Sequence, residues 1–93
     1  MEQALKWRTY DEITLEIGKQ LKEYCRRKNI TQQKLSKMSG VTYATIRRFE
    51  TTGNISFESF VKILMSLNRE DKLFELLPLN EYRNIEEVLK YDK

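Results

Sequence analysis

An all-α fold is predicted by three features of this sequence. Apolar residues recur every three or four positions in several separate stretches, the period of a helix with one buried face. Small polar residues suited to capping a helix N-terminus stand in front of those stretches. No stretch shows the sustained apolar/polar alternation of a half-buried strand. The 93 residues suit one domain with a single modest core, and the lone proline, Pro78, lies near the end.

The first helix is expected to open at Thr9, because Thr9-Tyr-Asp-Glu12 has the spacing of a capping box, and to run to about Lys28. Ile13, Ile17, Leu21 and Tyr24 or Cys25 would form its inward face. Arg26, Arg27 and Lys28 fall at its end, where cations favour the negative pole of the helix dipole. Gly18 costs about 1 kcal/mol in a helix interior relative to alanine, a cost that a close approach by another helix would explain.

Thr31 reads as the next N-cap, opening a two-turn helix over Gln32–Ser39 with Leu35 and Met38 inward and Gly40 as terminator. Thr42 caps a third helix, Tyr43 to about Thr51, that buries Ile46 and Phe49. After the turn Thr52-Gly53-Asn54, Ser56 caps a fourth, in which Phe57, Phe60, Ile63, Leu64 and Leu67 form a wide apolar stripe read as core. Asn68 is read as the cap of a short fifth helix, Arg69–Leu77, closed by Pro78. A last short helix is expected from Asn84, with Ile85, Val88 and Leu89 apolar. The domain is thus expected over residues 1–77, with an N-terminal extension 1–8 and a C-terminal extension 78–93.

Composition narrows the chemistry. With no histidine, one cysteine and three glycines that form no phosphate-cradling loop, the chain has no visible catalytic, metal or cofactor site, and an enzyme is not expected. Asp71 and Glu75, at i, i+4 spacing, more simply decorate a helix surface. No apolar run reaches the roughly 18 residues that span a bilayer. The N-terminus lacks an export signal, and an unpaired Cys25 suits a reducing compartment, so a cytoplasmic, nucleoid-associated protein is expected. The formal net charge of +3 is uneven: Thr14–Gly53 carries nine Lys/Arg against three Glu, whereas Asn54–Lys93 carries six against eight Asp/Glu. A basic segment favours approach to a phosphate backbone.

That segment holds Thr31-Gln-Gln-Lys-Leu-Ser-Lys-Met-Ser-Gly-Val-Thr-Tyr-Ala-Thr-Ile-Arg-Arg-Phe-Glu50. Two short helices joined by a tight glycine turn need a small residue at their crossing, here Ser36, and a permissive turn residue, here Gly40. They also need apolar anchors, here Leu35, Val41, Ile46 and Phe49. Such a pair lays its second helix in the DNA major groove while the first crosses the backbone.

The stretch Ile30-Thr-Gln-Gln-Lys-Leu-Ser, then Ser39-Gly-Val-Thr, then Thr45-Ile-Arg-Arg-Phe-Glu resembles the phage-repressor (Cro/C1-type, or Xre) helix-turn-helix family. The resemblance covers about Ile17 to Leu77, and Ser36 departs from the family's usual alanine. It implies a five-helix, lambda-repressor-like domain with a short C-terminal extension. It also implies that Gln32 anchors a phosphate through backbone and side chain, and that Tyr43, Ala44 and Arg48 read bases. Arg48 suits guanine O6 and N7, Ala44 a thymine methyl, and Tyr43 the backbone or a base edge. Thr42, Thr45 and Arg47 would contact phosphates, with Lys34, Lys37, Thr52 and Asn54 as weaker candidates.

One such motif reads few base pairs, and two-fold dimers double the contacts on a pseudo-palindromic double-stranded operator. Leu73, Phe74, Leu76, Leu77 and Leu79 exceed one stripe of a short helix, so Leu73, Leu76, Leu77 and Leu79 are the expected dimer interface, unless the tail folds back over them. The layout is similar to HipB-type antitoxins encoded beside HipA-like kinases. That similarity implies an autoregulating antitoxin with a possible kinase toxin as partner. A prophage-type repressor without a toxin, and a protein-only module that has lost DNA binding, remain the alternatives.

Overall fold

The structure, a computed structural model, describes residues 9–78. Four α-helices follow in chain order: α1 (Tyr10–Arg27), α2 (Gln32–Ser39), α3 (Tyr43–Thr52) and α4 (Phe57–Ser66), then a short 3-10 helix, Glu70–Glu75. The described residues contain no strand, and the all-α expectation holds. The N-terminal extension, the C-terminal segment from residue 79 and the helix expected from Asn84 lie outside the described residues.

The N-caps expected at Thr9, Thr31, Thr42 and Ser56 all form. At Thr9 the capping box closes both ways, with the Glu12 N–H donating to Thr9 Oγ1 and the Thr9 N–H to Glu12 Oε1, each at 3.2 Å. Thr31, Thr42 and Ser56 accept from the N–H groups of Lys34, Thr45 and Ser59 at 3.0, 3.2 and 3.1 Å. The C-terminal ends are closed by left-handed residues: Gly40 and Gly53, with φ 78° and 84°, and Asn29 and Asn68, with φ 60° and 59°.

Asn68 therefore corrects the sequence reading. It closes α4 rather than opening the next helix: its N–H donates to the Met65 carbonyl at 3.1 Å and that of Arg69 to Leu64 at 2.8 Å. Asn29 closes α1 with the same pair of bonds, to Arg26 from its own N–H and to Cys25 from Ile30. A short polar side chain suits either end of a helix, so an asparagine alone does not say which. With no side-chain cap at Arg69, the segment expected as a helix over Arg69–Leu77 contracts to six residues of 3-10 helix. It is tied back to α1 by Arg69 Nε, which donates to the Tyr24 hydroxyl at 3.2 Å while its guanidinium lies 5.5 Å from the ring centre.

The core comprises Leu21 and Cys25 of α1, Leu35 of α2, Val41 of the turn, Ile46 and Phe49 of α3, and Ile63 of α4. Phe60 meets Phe49 edge-on at 5.7 Å. Four residues expected to face inward are displaced outward. Met38 is 43% and Phe57 72% exposed, and Ile13 and Ile17 also face solvent, because each lies at an edge of its helix's apolar stripe that no neighbouring helix covers. On α1 the buried register is Gly18, Leu21 and Cys25.

Gly18 and Gly53 together let α1 and α3 cross at backbone contact. A Cβ at Gly18 would press into the Phe49 carbonyl, so the close approach anticipated from the sequence is real and its neighbour is α3. A Cβ at Gly53 would lie 2.5 Å from the Leu15 amide nitrogen, at a φ that already disfavours L side chains. Gly40 shares the left-handed φ, but a Cβ there meets nothing within 4 Å. Urea denaturation should separate the two sites: Gly53→Ala is expected to lose about 2–4 kcal/mol, from backbone strain plus overlap, and Gly40→Ala only about 1 kcal/mol. Equal losses would remove the packing role of Gly53.

Candidate nucleic-acid interface

The turn between α2 and α3 is braced by two serines as well as by its glycine. Ser39 Oγ donates to the Leu35 carbonyl at 2.8 Å and accepts from the Val41 N–H at 3.1 Å. Ser36 Oγ donates to the Val41 carbonyl at 2.6 Å. Ser36 is half-buried, and its hydroxyl satisfies a turn carbonyl that an alanine would leave to another donor. With Leu35, Val41 and Ile46 buried between them, the two helices are held as one unit.

That packing divides α3 lengthwise. Ile46, Phe49 and Glu50 are buried, whereas Tyr43, Ala44, Arg47, Arg48 and Thr51 are exposed. Positions 43, 44, 47, 48 and 51 fall on one face of a 3.6-residue helix, so the expected base readers Tyr43, Ala44 and Arg48 share one outward surface with Arg47. Thr42 borders it at the helix start, where its hydroxyl donates to Thr45 Oγ1 at 2.8 Å, leaving the Thr45 proton as the outward donor of the pair. Thr52 Oγ1 donates to the Arg48 carbonyl at 2.6 Å and accepts from the Asn54 N–H at 3.1 Å. Its proton is committed to closing α3, so Thr52 and Asn54 have a turn-building role whatever else they touch. Lys34 and Lys37 are exposed on α2.

The helix-turn-helix family profile matches residues 21–73, more than half of the chain. The chain belongs to the Cro/C1-type helix-turn-helix family. No curated protein and no solved structure gives a match. The match runs from Leu21 in α1 to Leu73 in the 3-10 helix, and so includes the whole braced turn and the outward face of α3. As a member of this DNA-binding regulatory family, the chain is a sequence-specific DNA-binding regulator.

Charge on this Cro/C1-type domain is less evenly available than the sequence count implies. Glu23 takes hydrogen bonds from Arg26 at 2.6 Å and Arg27 at 2.8 Å, and first Arg26, then Arg27, hold its carboxyl down to about 2. Much of the basic run at the end of α1 is thus paired along its own helix. Among the described residues no carboxylate lies within ion-pair distance of Lys34, Lys37, Arg47 or Arg48. No described group of three or more His, Cys, Asp or Glu could hold a metal, and no described helix is long and apolar enough to cross a membrane.

Two residues behave in ways the sequence did not reveal. Gln32, expected at a phosphate, donates from Nε2 to Glu50 Oε1 at 2.7 Å. Glu50 itself is buried at the end of α3, where an acidic residue one position past Phe49 and four past Ile46 was the available signal of an inward carboxylate. Of the expected interface leucines, Leu73 is half-buried beside a cleft that it lines with residues of α1 and α4, Leu76 and Leu77 are exposed, and Leu79 lies outside the described residues.

Cys25 sits beside this carboxylate, and burial first, then the Glu50 charge, push its thiol up to about 11 from an ordinary 9.0. The folded state therefore keeps the proton more tightly than the unfolded chain does. Its contribution to stability is complete below about pH 9 and is lost as pH rises towards 11. Iodoacetamide should leave Cys25 largely unmodified at pH 8 in the folded protein and label it rapidly in urea. Equal rates in both would mean that the thiol is neither buried nor raised.

Proposed function

We propose that this Cro/C1-type regulator is a homodimeric transcriptional repressor that reads a pseudo-palindromic operator in its own promoter, as the antitoxin of a toxin–antitoxin pair. The observation that carries the DNA reading is the undivided outward face of α3, with Tyr43, Ala44, Arg47 and Arg48 exposed on a helix whose opposite side is fully packed. In the groove, Arg48 pairs with guanine O6 and N7, Ala44 meets a thymine methyl, and Tyr43 reaches a base edge or the backbone. Gln32, Thr42, Thr45 and Arg47 position the domain on phosphates, with Lys34 and Lys37 adding charge and Thr52 and Asn54 at the margin.

Dimerisation is supported by apolar surface that the described fold leaves open. Phe74, Leu76 and Leu77 are 78%, 69% and 82% exposed in one short segment, beside half-buried Leu73. A patch of that kind favours a protein contact over solvent, and a two-fold contact would set two α3 helices about one DNA turn, roughly 34 Å, apart. The antitoxin role rests on the similarity of layout to HipB-type proteins. The acidic C-terminal stretch, with Glu81, Glu86, Glu87 and Asp92, would face a HipA-like kinase.

The direct test is a gel shift with the protein's own upstream DNA at two salt concentrations, against a scrambled duplex. Specific binding that weakens steeply with salt supports autoregulation; no preference over scrambled DNA rejects it in favour of a distant operator or a protein-only module. Within that assay Arg48→Ala should cost about 1–3 kcal/mol on the cognate site and relax preference at one base position. If cognate and scrambled duplexes lose equally, Arg48 is a phosphate contact. Leu76→Glu should shift the protein towards monomer in sedimentation and weaken operator binding, and a mutant that still sediments as a dimer moves the interface elsewhere.

A further inference from the structure

We infer that Glu50 is a positioning residue for DNA binding: it holds one amide proton of Gln32 inside the protein so that the other faces a DNA phosphate. The inference rests on the DNA-binding reading above. Gln32 is the first residue of α2, half-buried, at a helix end whose N–H groups and dipole favour an anion. Its amide has two chemically opposite ends, a carbonyl oxygen that only accepts and a nitrogen with two protons to donate. A phosphate accepts only, so it requires the nitrogen end. An exposed glutamine in solution presents either end.

Glu50 removes that freedom. Its carboxylate also accepts only, and at 2.7 Å from Gln32 Nε2 it admits the nitrogen and repels the oxygen. One proton is then consumed and the second remains for a second acceptor outside. Glu50 is buried, and among the described residues no cation lies within ion-pair distance of it, so its interaction is with the neutral amide. The recess above the pair, about 650 Å³, is lined by Thr31, by Lys22 and by Arg26. Arg26 is held by Glu23, so Lys22 is the cation placed to draw an anion to the outer side of the amide. Because Glu50 belongs to α3, the same bond couples the backbone anchor on α2 to the helix that carries Arg47 and Arg48.

The test is a double-mutant cycle on operator affinity in the full chain, with the operator taken as the wild-type footprint in its own promoter. Gln32→Ala and Glu50→Leu should each weaken binding roughly three- to tenfold, the range of one hydrogen bond. The double variant should be no weaker than either single one. Glu50→Gln keeps an acceptor oxygen but can also donate, so it should recover only part of the loss, and ethylation interference should vanish at the same single phosphate in Gln32→Ala and Glu50→Leu. Multiplying losses, or an E50L protein that binds like wild type, overturn the inference.

A measurement on the wild-type chain needs no variant to fold. By NMR, one Gln32 side-chain amide proton should be protected before DNA is added and the other should shift and gain protection only with operator. Identical behaviour of the two protons overturns the proposal. A wild-type protein that prefers no duplex over scrambled DNA would instead sink the DNA reading itself, whereas specific wild-type binding with an unaffected E50L sinks only the role of Glu50.

Discussion

The contact on which the rest of this domain depends is the backbone-to-backbone crossing of α1 and α3. At Gly18 there is no room for even a methyl group beside the Phe49 carbonyl, and at Gly53 none beside Leu15. Two glycines, one within α1 and one closing α3, bring the helices closer than side chains would allow. That approach buries Phe49 and Ile46 against Leu21 and Cys25 and settles the rotation of α3 about its own axis. Interiors packed to crystal density tolerate little slack, so a rotation set there is transmitted along the whole helix.

From that rotation follows the division of α3 into a packed face and a free one. The free face receives its direction from the core behind it and its starting point from Thr42, whose side chain caps the helix at the turn. The turn is then held by hydroxyls as well as by chain conformation, since Ser36 and Ser39 supply bonds that the turn backbone would otherwise lack. Buried polar groups in so short a connection are costly unless paired. Here they are paired locally, which lets the two helices move as a single reading unit. Glu50 and Gln32 add a bond across that unit at its far end.

The periphery of the described fold shows what a core of this size does not cover. The four helices and their turn enclose seven buried apolar side chains among the described residues, and other apolar residues stand at the periphery: Phe57 at the start of α4, Phe74 in the 3-10 helix, and Leu76 and Leu77 beyond it. A 3-10 segment has poorer hydrogen-bond geometry than an α-helix and persists in short pieces held by neighbours. Arg69 on Tyr24 is one such hold, and the contact of the segment with α4 another. Among the described residues nothing covers Phe74, Leu76 and Leu77.

Local chemistry made much of this legible from residues alone. N-caps at Thr9, Thr31, Thr42 and Ser56, the left-handed ends at Gly40 and Gly53, and the anchors Leu35, Val41, Ile46 and Phe49 depend on neighbours within one or two helical turns, so the order and spacing of residues determined them. The same spacing placed Tyr43, Ala44, Arg47 and Arg48 on one face, and the structure leaves that face exposed. Tertiary structure decided what depends on distant partners: whether an apolar stripe is covered, as at Phe57 and Met38, and which end of a helix Asn68 serves. It also decided where a polar side chain spends its hydrogen bonds, as Gln32 does on Glu50, 18 residues away. Periodicity reports which face of a helix is apolar, but only the packing of other helices against it decides how much of that face leaves water.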